Sequence, residues 1–459
     1  MDKFLNSPIM SKIIEILSSV FQFETNPTRF NLIVLFFSIS FSNHFRSINS
    51  IFENCIKYVT QKTPSSIYSM FSKSEYIFYD DWYNKILKDT LSLLKKSDKD
   101  DPLFVTFDDT NIHKVGTKFE RLSRLWDHCA GEYFSGFNSV CVSLSVFIKE
   151  KKNERKIITV PVNQKLWHPK DKNNNKNQES YETRFELLVP VLENIIETVG
   201  SDRKIILLCD SWYSRGDIKE IVQKYSNVEM IAAVRKDTVL YELPPAITER
   251  KRGAPRKKGD RIDLEKLNFV KIKNEKFQIA HTKCVTNLFG LDKVVDIIAT
   301  KSDSGSIRLF ISTVDYIINE EILFTSDENK KKAKKYLSVD PNFLPLLVYQ
   351  YRWNIEVYFN MVKEYWGYES FKVRKYTSIT RVLNFITTSF SITVLLPYLC
   401  DELSFLKGKS PQHTRDFIGK MFYGTHLIQD CAVRAQRPEI IPDLLKSYQN
   451  LAFQMGLAC

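Results

Sequence analysis

The chain has 459 residues, of which 43% are apolar, 26% charged and 13% aromatic. That length is too great for one ordinary hydrophobic core, and that composition excludes a disordered or fibrous chain, so two or three globular units are expected. Lys and Arg number 66 against 54 Asp and Glu, a formal net charge of +12, which suits a polyanionic partner without naming one.

Eight scattered cysteines, with no CxxC and no Cys/His group at zinc-ligand spacing, read as reduced thiols inside a cell. The N-terminus has no charged segment followed by an apolar core and a small-residue cleavage site, so nothing marks it for export. The most apolar stretches, residues 32–41 and 385–399, fall short of the roughly 20 residues needed to span a bilayer. Core helices, no membrane partner and a cytoplasmic location are expected.

Residues 1–100 alternate apolar periodic segments with Asn, Pro, Ser and Thr breaks and predict a helical N-terminal domain, a candidate for DNA binding. From Leu103 the texture changes to β-branched and aromatic runs: LFVTF, SVCVSLSVFI, KIITVPV, KIILLC and VEMIAAV. Between the third and fourth runs lie a Lys/Asn-rich loop, 169–178, and a helix whose Phe185, Leu188, Val189, Val191, Leu192, Ile195 and Ile196 follow helical spacing. With a helix at 216–225, residues 101–235 read β-β-β-α-β-α-β. Residues 236–340 interrupt this with a basic linker and the short runs FVKI, QIAHTKCV, VVDIIAT and RLFIST, an inserted β-rich region. A long helix spans about 343–366, within a segment 341–375, and 376–459 is again helical.

Two of the strands run into acid, the first at Asp108-Asp109-Thr110 and the fourth at Asp210-Ser211-Trp212. Strand ends are where the sites of open α/β sheets form, although Asp after a strand is also an ordinary turn residue. The long helix carries Tyr349, Arg352, Glu356 and Lys363 at i, i+3, i+7 and i+14, which at helical pitch fall within about 60° of one another. Val348, Trp353, Ile355, Val357, Phe359 and Met361 supply apolar surface for packing on a sheet. A surface i,i+4 pair would account for Arg352 and Glu356 alone. Phosphoryl transfer between DNA strands accounts for more, because two divalent ions about 3.5–4 Å apart can activate the nucleophile and stabilise the leaving oxygen. Hard ions of this kind are held by two or three carboxylates. Neighbouring basic side chains grip the strand through its phosphates.

The pattern Tyr349-x2-Arg352-x3-Glu356-x6-Lys363, with the two upstream aspartates, resembles the YREK signature of bacterial insertion-sequence-four-type DDE transposases. The resemblance implies an α/β chain with an RNase H-like mixed sheet flanked by helices, interrupted by the inserted β-rich region. It implies Asp108, Asp210 and Glu356 as catalytic residues and ligands of two Mg2+ ions, for which Mn2+ could substitute; Asp109 is the alternative to Asp108. Tyr349, Arg352 and Lys363 would hold strand phosphates. The implied partners are double-stranded DNA, as transposon terminal inverted repeats and target DNA, and a second copy of the chain in a homodimeric synaptic complex. The implied reaction is metal-dependent cut-and-paste cleavage and transfer of an insertion sequence in a bacterial, nucleoid-associated setting. An RNase H-like nuclease that cuts without joining, and an inactive DNA-binding descendant, are the alternatives.

Residues 250–261 hold seven basic side chains around a Gly and a Pro. Arg250, Lys251, Arg252, Arg256, Lys257 and Lys258 are therefore further candidates for DNA contact through an extended arm, with a solvated linker as the other reading.

Overall fold

The computed structural model describes residues 8–42, 47–73, 77–96, 101–127, 130–151, 154–170, 181–245 and 256–457. Five helices come first: α1 (Pro8–Val20), α2 (Asn26–Phe41), α3 (Ile48–Asn54), α4 (Pro64–Lys73) and α5 (Tyr79–Ser92). In α1 the buried residues Ile9, Met10, Ile13, Ile14, Leu17 and Val20 form one stripe at helical spacing. In α2 nearly every residue from Leu32 to Ser40 is buried, as a stretch apolar on all sides requires.

The sheet begins with β1 (Leu103–His113), β2 (Ser123–Asp127), β3 (Glu132–Lys151) and β4 (Glu154–Trp167). Helix α6 (Arg184–Val199), strand β5 (Ile205–Cys209), helix α7 (Asp217–Lys224) and strand β6 (Val228–Val234) follow. A reciprocal cap between Thr183 and Glu186 starts α6. Strand β1 pairs antiparallel with β3, and β3 with β4, while β1, β5 and β6 run parallel. The core order β4-β3-β1-β5-β6 is that of the RNase H-like fold.

The inserted strands β7 (Leu240–Tyr241), β8 (Val270–Lys271), β9 (Phe277–Thr286), β10 (Gly290–Ser302) and β11 (Ile307–Ser312) extend the same sheet. The join is antiparallel pairing of β11 with β6, Leu309 opposite Val234 and Ser312 opposite Ile231. Helices α8 (Asp327–Leu337), α9 (Leu344–Tyr349), α10 (Trp353–Tyr365), α11 (Tyr376–Leu399), α12 (Pro411–Arg434) and α13 (Ile441–Leu457) complete the chain.

One face of the sheet is covered by α5, α6 and α7; the other carries α8 and α9 against Phe104, Phe147, Ile206 and Leu208. The N-terminal helices and the C-terminal α11 and α12 share one apolar cluster, with Phe37 stacked on Phe422 at 4.1 Å and Phe21 on Phe385 at 6.2 Å. Ile355, Tyr358, Phe359 and Val362 of α10 belong to that cluster too. The two helical ends of the chain therefore meet over α10. Helix α11 is long and apolar enough to cross a membrane by length and composition, and most of it is buried inside the protein. Its Ser389, Ser391 and Thr393 hydroxyls return hydrogen bonds to carbonyls four residues back, and Ser391 also donates to Pro161 O of β4 at 2.6 Å.

The long helix expected at 343–366 is broken. A 3-10 turn, Gln350–Arg352, separates α9 from α10. The turn drives Tyr351 inward, its hydroxyl donating to Ile322 O at 2.9 Å and its ring 5.5 Å from Phe104. Val348, Ile355 and Phe359 pack as their periodicity predicts, but Trp353 is 60% exposed and Val357 43%. Those two lie on the opposite side of α10 from Ile355 and Phe359, being two residues and so about 200° away around the helix.

Candidate active site

Parallel pairing of β1 with β5 ends at Thr106 opposite Leu208. Asp210 follows the end of β5, but β1 does not end at Asp108 as its sequence predicts: Asp108 stays in the sheet opposite Cys141 of β3, which carries β1 on to His113, and only its pairing with β5 has ended there. By the period-two alternation of side chains the two aspartates lie on the same face. That face is the one on which α9 packs, beside Phe104 and Leu208. Asp109 points to the other side. There it accepts from Tyr213 Oη at 3.0 Å and Asn138 Nδ2 at 2.6 Å and lies 3.8 Å from Arg184.

The 3-10 turn determines how the helix meets these acids. In such a turn residues i and i+3 nearly eclipse, which brings Arg352 over Tyr349, guanidinium carbon 5.8 Å from the ring. Arg352 Nη1 donates to Asp108 Oδ2 at 2.8 Å, and its Nη2 donates to the Glu356 carboxylate one turn further on. One half-buried guanidinium thus links the first strand to the first turn of α10.

Asp210 Oδ1 accepts the backbone N–H groups of Trp212 at 3.0 Å and Tyr213 at 3.2 Å. Burial raises the Asp210 carboxyl above its ordinary value against the opposing pull of those two bonds. Burial, and then the charges of Asp210 and Asp109, push Asp108 up to about 7, with Arg352 acting the other way. The pair is a pocket of concentrated negative charge that one arginine only partly offsets.

Tyr349 is largely buried, its ring 5.0 Å from Phe310 of β11, and burial raises its hydroxyl. Lys363 Nζ donates to Asn111 O at 2.7 Å and pairs with Glu369 at 3.1 Å, so it ties α10 to β1 just beyond the acids. Arg250, Lys251 and Arg252 lie outside the described residues, as do residues 171–178 of the Lys/Asn-rich loop. Lys257 pairs with Asp292 at 3.2 Å and Lys258 lies 3.7 Å from the Tyr241 ring, both on the inserted strands, while Arg256 is exposed. Sequence reasoning missed Asn138, Arg184 and Tyr213. Asn138 and Arg184 carry no local motif, and Tyr213 was visible only as the aromatic three residues after Asp210.

Among the described residues no three His, Cys, Asp or Glu side chains group closely enough to hold a metal ion. Arg352 bridges Asp108 and Glu356. The donors nonetheless fit a hard divalent ion. Asp108 and Asp210 offer carboxylate oxygens whose charge is raised in cost by burial and by each other, which a divalent cation would relieve. Glu356 is bonded to Arg352 through one carboxylate oxygen.

Residues 66–283 match the model of a family described as DDE superfamily endonuclease. The match runs from α4 into β9 and takes in Asp108 and Asp210 but not Glu356. No curated protein matches the chain. Among solved structures the chain is similar to a piggyBac transposase in a synaptic complex with hairpin DNA, determined by cryo-EM. That likeness has 12% identity and a TM-score of 0.43, and covers 97% of this chain and 83% of that one.

Proposed function

We propose that this chain is a DNA transposase of the DDE class that performs metal-dependent cleavage and strand transfer of an insertion sequence by a cut-and-paste route. The observation that carries the reading is the convergence of Asp108, within β1, and Asp210, just after the adjacent parallel strand β5, with Glu356 through Arg352. The match of residues 66–283 to DDE endonucleases supports it.

Bound divalent ions, Mg2+ in the first instance and Mn2+ as a substitute, would activate the attacking oxygen and stabilise the leaving one. Asp108, Asp210 and Glu356 would hold them. The protein's own part is to keep Asp108 fixed within β1 and Asp210 fixed just after β5, the latter by two backbone N–H groups. Arg352 is suited to exchange carboxylate for phosphate, since its fork of donors matches either. On that exchange Glu356 is freed. Lys363 and Tyr349 would flank the strand, and the exposed Arg256 with the rest of its basic segment would contact the duplex further along. Two element ends and a target must be held together, so a homodimer is the expected working form.

The test is cleavage of linear DNA carrying the chromosomal flanks of the chain's own gene, with Mg2+, by the wild-type chain and by Glu356→Ala. Cleavage at an element end by the wild type alone, with DNA binding kept in the variant, supports the reading. Undiminished cutting by Glu356→Ala overturns it.

A further inference from the structure

Strand β2 stands at one end of the sheet and pairs on one side only, with β3. Ser135 of β3 accepts the Lys114 N–H at 2.9 Å, so its backbone groups face the β1 side. By the alternation along an antiparallel strand, those of Phe134 and Gly136 face β2, where they meet Leu125 and Ser123. Arg124, opposite Ser135, and Trp126, opposite Tyr133, therefore turn their own N–H and C=O groups away from the sheet. Among the described residues no strand takes up that side.

Such an edge is a template for another strand, and edges are commonly blunted by Pro, by a bulge or by outward lysines. Strand β2 has no Pro and no shift of register against β3. Its one cation, Arg124, lies over the Tyr133 ring at 4.6 Å, and Trp126 meets the same ring edge-on at 4.9 Å. Both aromatics stay half exposed, Trp126 at 43% and Tyr133 at 57%. On the other face His113 stacks on Phe134 at 4.1 Å and lies 3.2 Å from Asp127, which ties the hairpin to β1. The edge is thus held in place before anything meets it.

The strand is also its own complement. Laid antiparallel to a second copy about a two-fold axis through Leu125, Arg124 falls opposite Trp126 of the other copy, and Ser123 opposite Asp127. The outward backbone groups of Arg124 and Trp126 then meet and close four hydrogen bonds. Each guanidinium comes beside an indole, and no like charges face each other. A register moved by one residue sets outward groups against inward ones, and one centred on Arg124 sets two guanidinium groups face to face.

We infer that β2 is an interface for a second copy of this chain, which continues the sheet across a two-fold axis at Leu125. The inference supplies a contact for the homodimer of the proposed function and in that respect rests on that reading, while its test uses neither DNA nor metal. Five residues a side make a small interface, so the dimer is weak, with a dissociation constant on the order of 10 µM.

The experiment is sedimentation velocity of the full chain from about 1 to about 100 µM, a range that brackets that constant. The wild type should pass from monomer to dimer. Arg124→Pro removes an N–H that β3 does not use and should weaken the dimer at least about tenfold. Circular dichroism and melting verify that the variant folds. The register is read by oxidative cross-linking in a chain carrying Cys129→Ser, Cys431→Ser and Cys459→Ser, the remaining cysteines being buried. Leu125→Cys should form a disulfide-linked dimer, since the axis sets the two positions about 4.5 Å apart at Cα. Arg124→Cys, opposite Trp126 rather than itself, should not. A wild type that stays monomeric throughout, or that dimerises only on added DNA, overturns the inference and leaves the cleavage reading to its own test. A dimer undiminished in Arg124→Pro, or absence of the Leu125→Cys cross-link, overturns it as well.

Discussion

Arg352 Nη1 lies 2.8 Å from Asp108 Oδ2, and the same guanidinium donates through Nη2 to Glu356. A monocation therefore occupies the ground between two acids that a divalent ion would need to share. Removing it should act in opposite directions on the two. Arg352→Ala leaves two poorly solvated carboxylates unneutralised, which should cost about 3–5 kcal/mol of stability. The variant should recover more of its melting temperature on addition of Mg2+ than the wild type gains, yet cleave DNA about 100-fold more slowly. Melting scans with and without Mg2+ check this; an equal Mg2+ response in both proteins would show that Arg352 does not stand in the ion's place.

Asp108 and Asp109 are adjacent in sequence and opposite in space. Asp108→Asn should abolish cleavage and leave the folded chain intact. Asp109→Asn disturbs the bonds from Tyr213 and Asn138 and should cost about 1–3 kcal/mol of stability, with cleavage reduced only as far as folding is. Parallel activity and urea-unfolding measurements separate the two, and loss of cleavage confined to Asp109→Asn would reverse the assignment.

The Asp108 carboxyl, pushed from an ordinary 3.8 up to about 7 by burial and by neighbouring acids, makes a pH prediction. Between those two values the folded chain holds a proton that the unfolded chain has lost, so stability falls as pH rises from about 4 to about 7. The metal-free protein should lose melting temperature from pH 5 to pH 8, on the order of 2–4 kcal/mol from this group. Asp108→Asn should flatten that loss. Mg2+ should stabilise the wild type more at pH 8 than at pH 5, because only the deprotonated carboxylate binds it.

Lys114 predicts the reverse slope in another window. Burial, then the charge of Lys372, lowers its amine from 10.5 to about 7. Its Nζ donates to Glu369 O at 2.6 Å and Phe371 O at 3.1 Å and sits 3.2 Å from the Phe371 ring centroid. The unfolded chain binds the extra proton between those values, so this group adds stability as pH rises from about 7 to about 10.5. Lys114→Met should remove that rise. Melting scans across alkaline pH decide the matter, and an unchanged slope in the variant would place the titration elsewhere.

Much of this protein was legible in its residues taken in order. The runs LFVTF, KIILLC and VEMIAAV predict buried strands because side chains facing helices on both sides must all be apolar, and β1, β5 and β6 are those strands. The acid after β5 is visible because charge appears where burial stops, whereas β1 runs on past Asp108 and Asp109 to His113, held there by pairing with β3 that its own residues do not announce. The spacing of Tyr349, Arg352, Glu356 and Lys363 predicts one helical face, but these residues are divided between α9, the 3-10 turn and α10.

What the chain's order could not supply is which face meets which. Choosing Asp108 over Asp109 takes the side of the sheet on which α9 lies, a fact of packing between segments some 240 residues apart in sequence. The 3-10 turn that aims Arg352 follows from the burial of Tyr351 under Ile322 and against Phe104, a contact no local pattern encodes. Asn138, Arg184 and Tyr213 come from three separate segments and meet only around Asp109. Local periodicity determined the buried strand runs and most of the helices, because backbone geometry and solvent act residue by residue. The tertiary structure alone decided the partners, because burial and charge at a site are summed over everything that surrounds it.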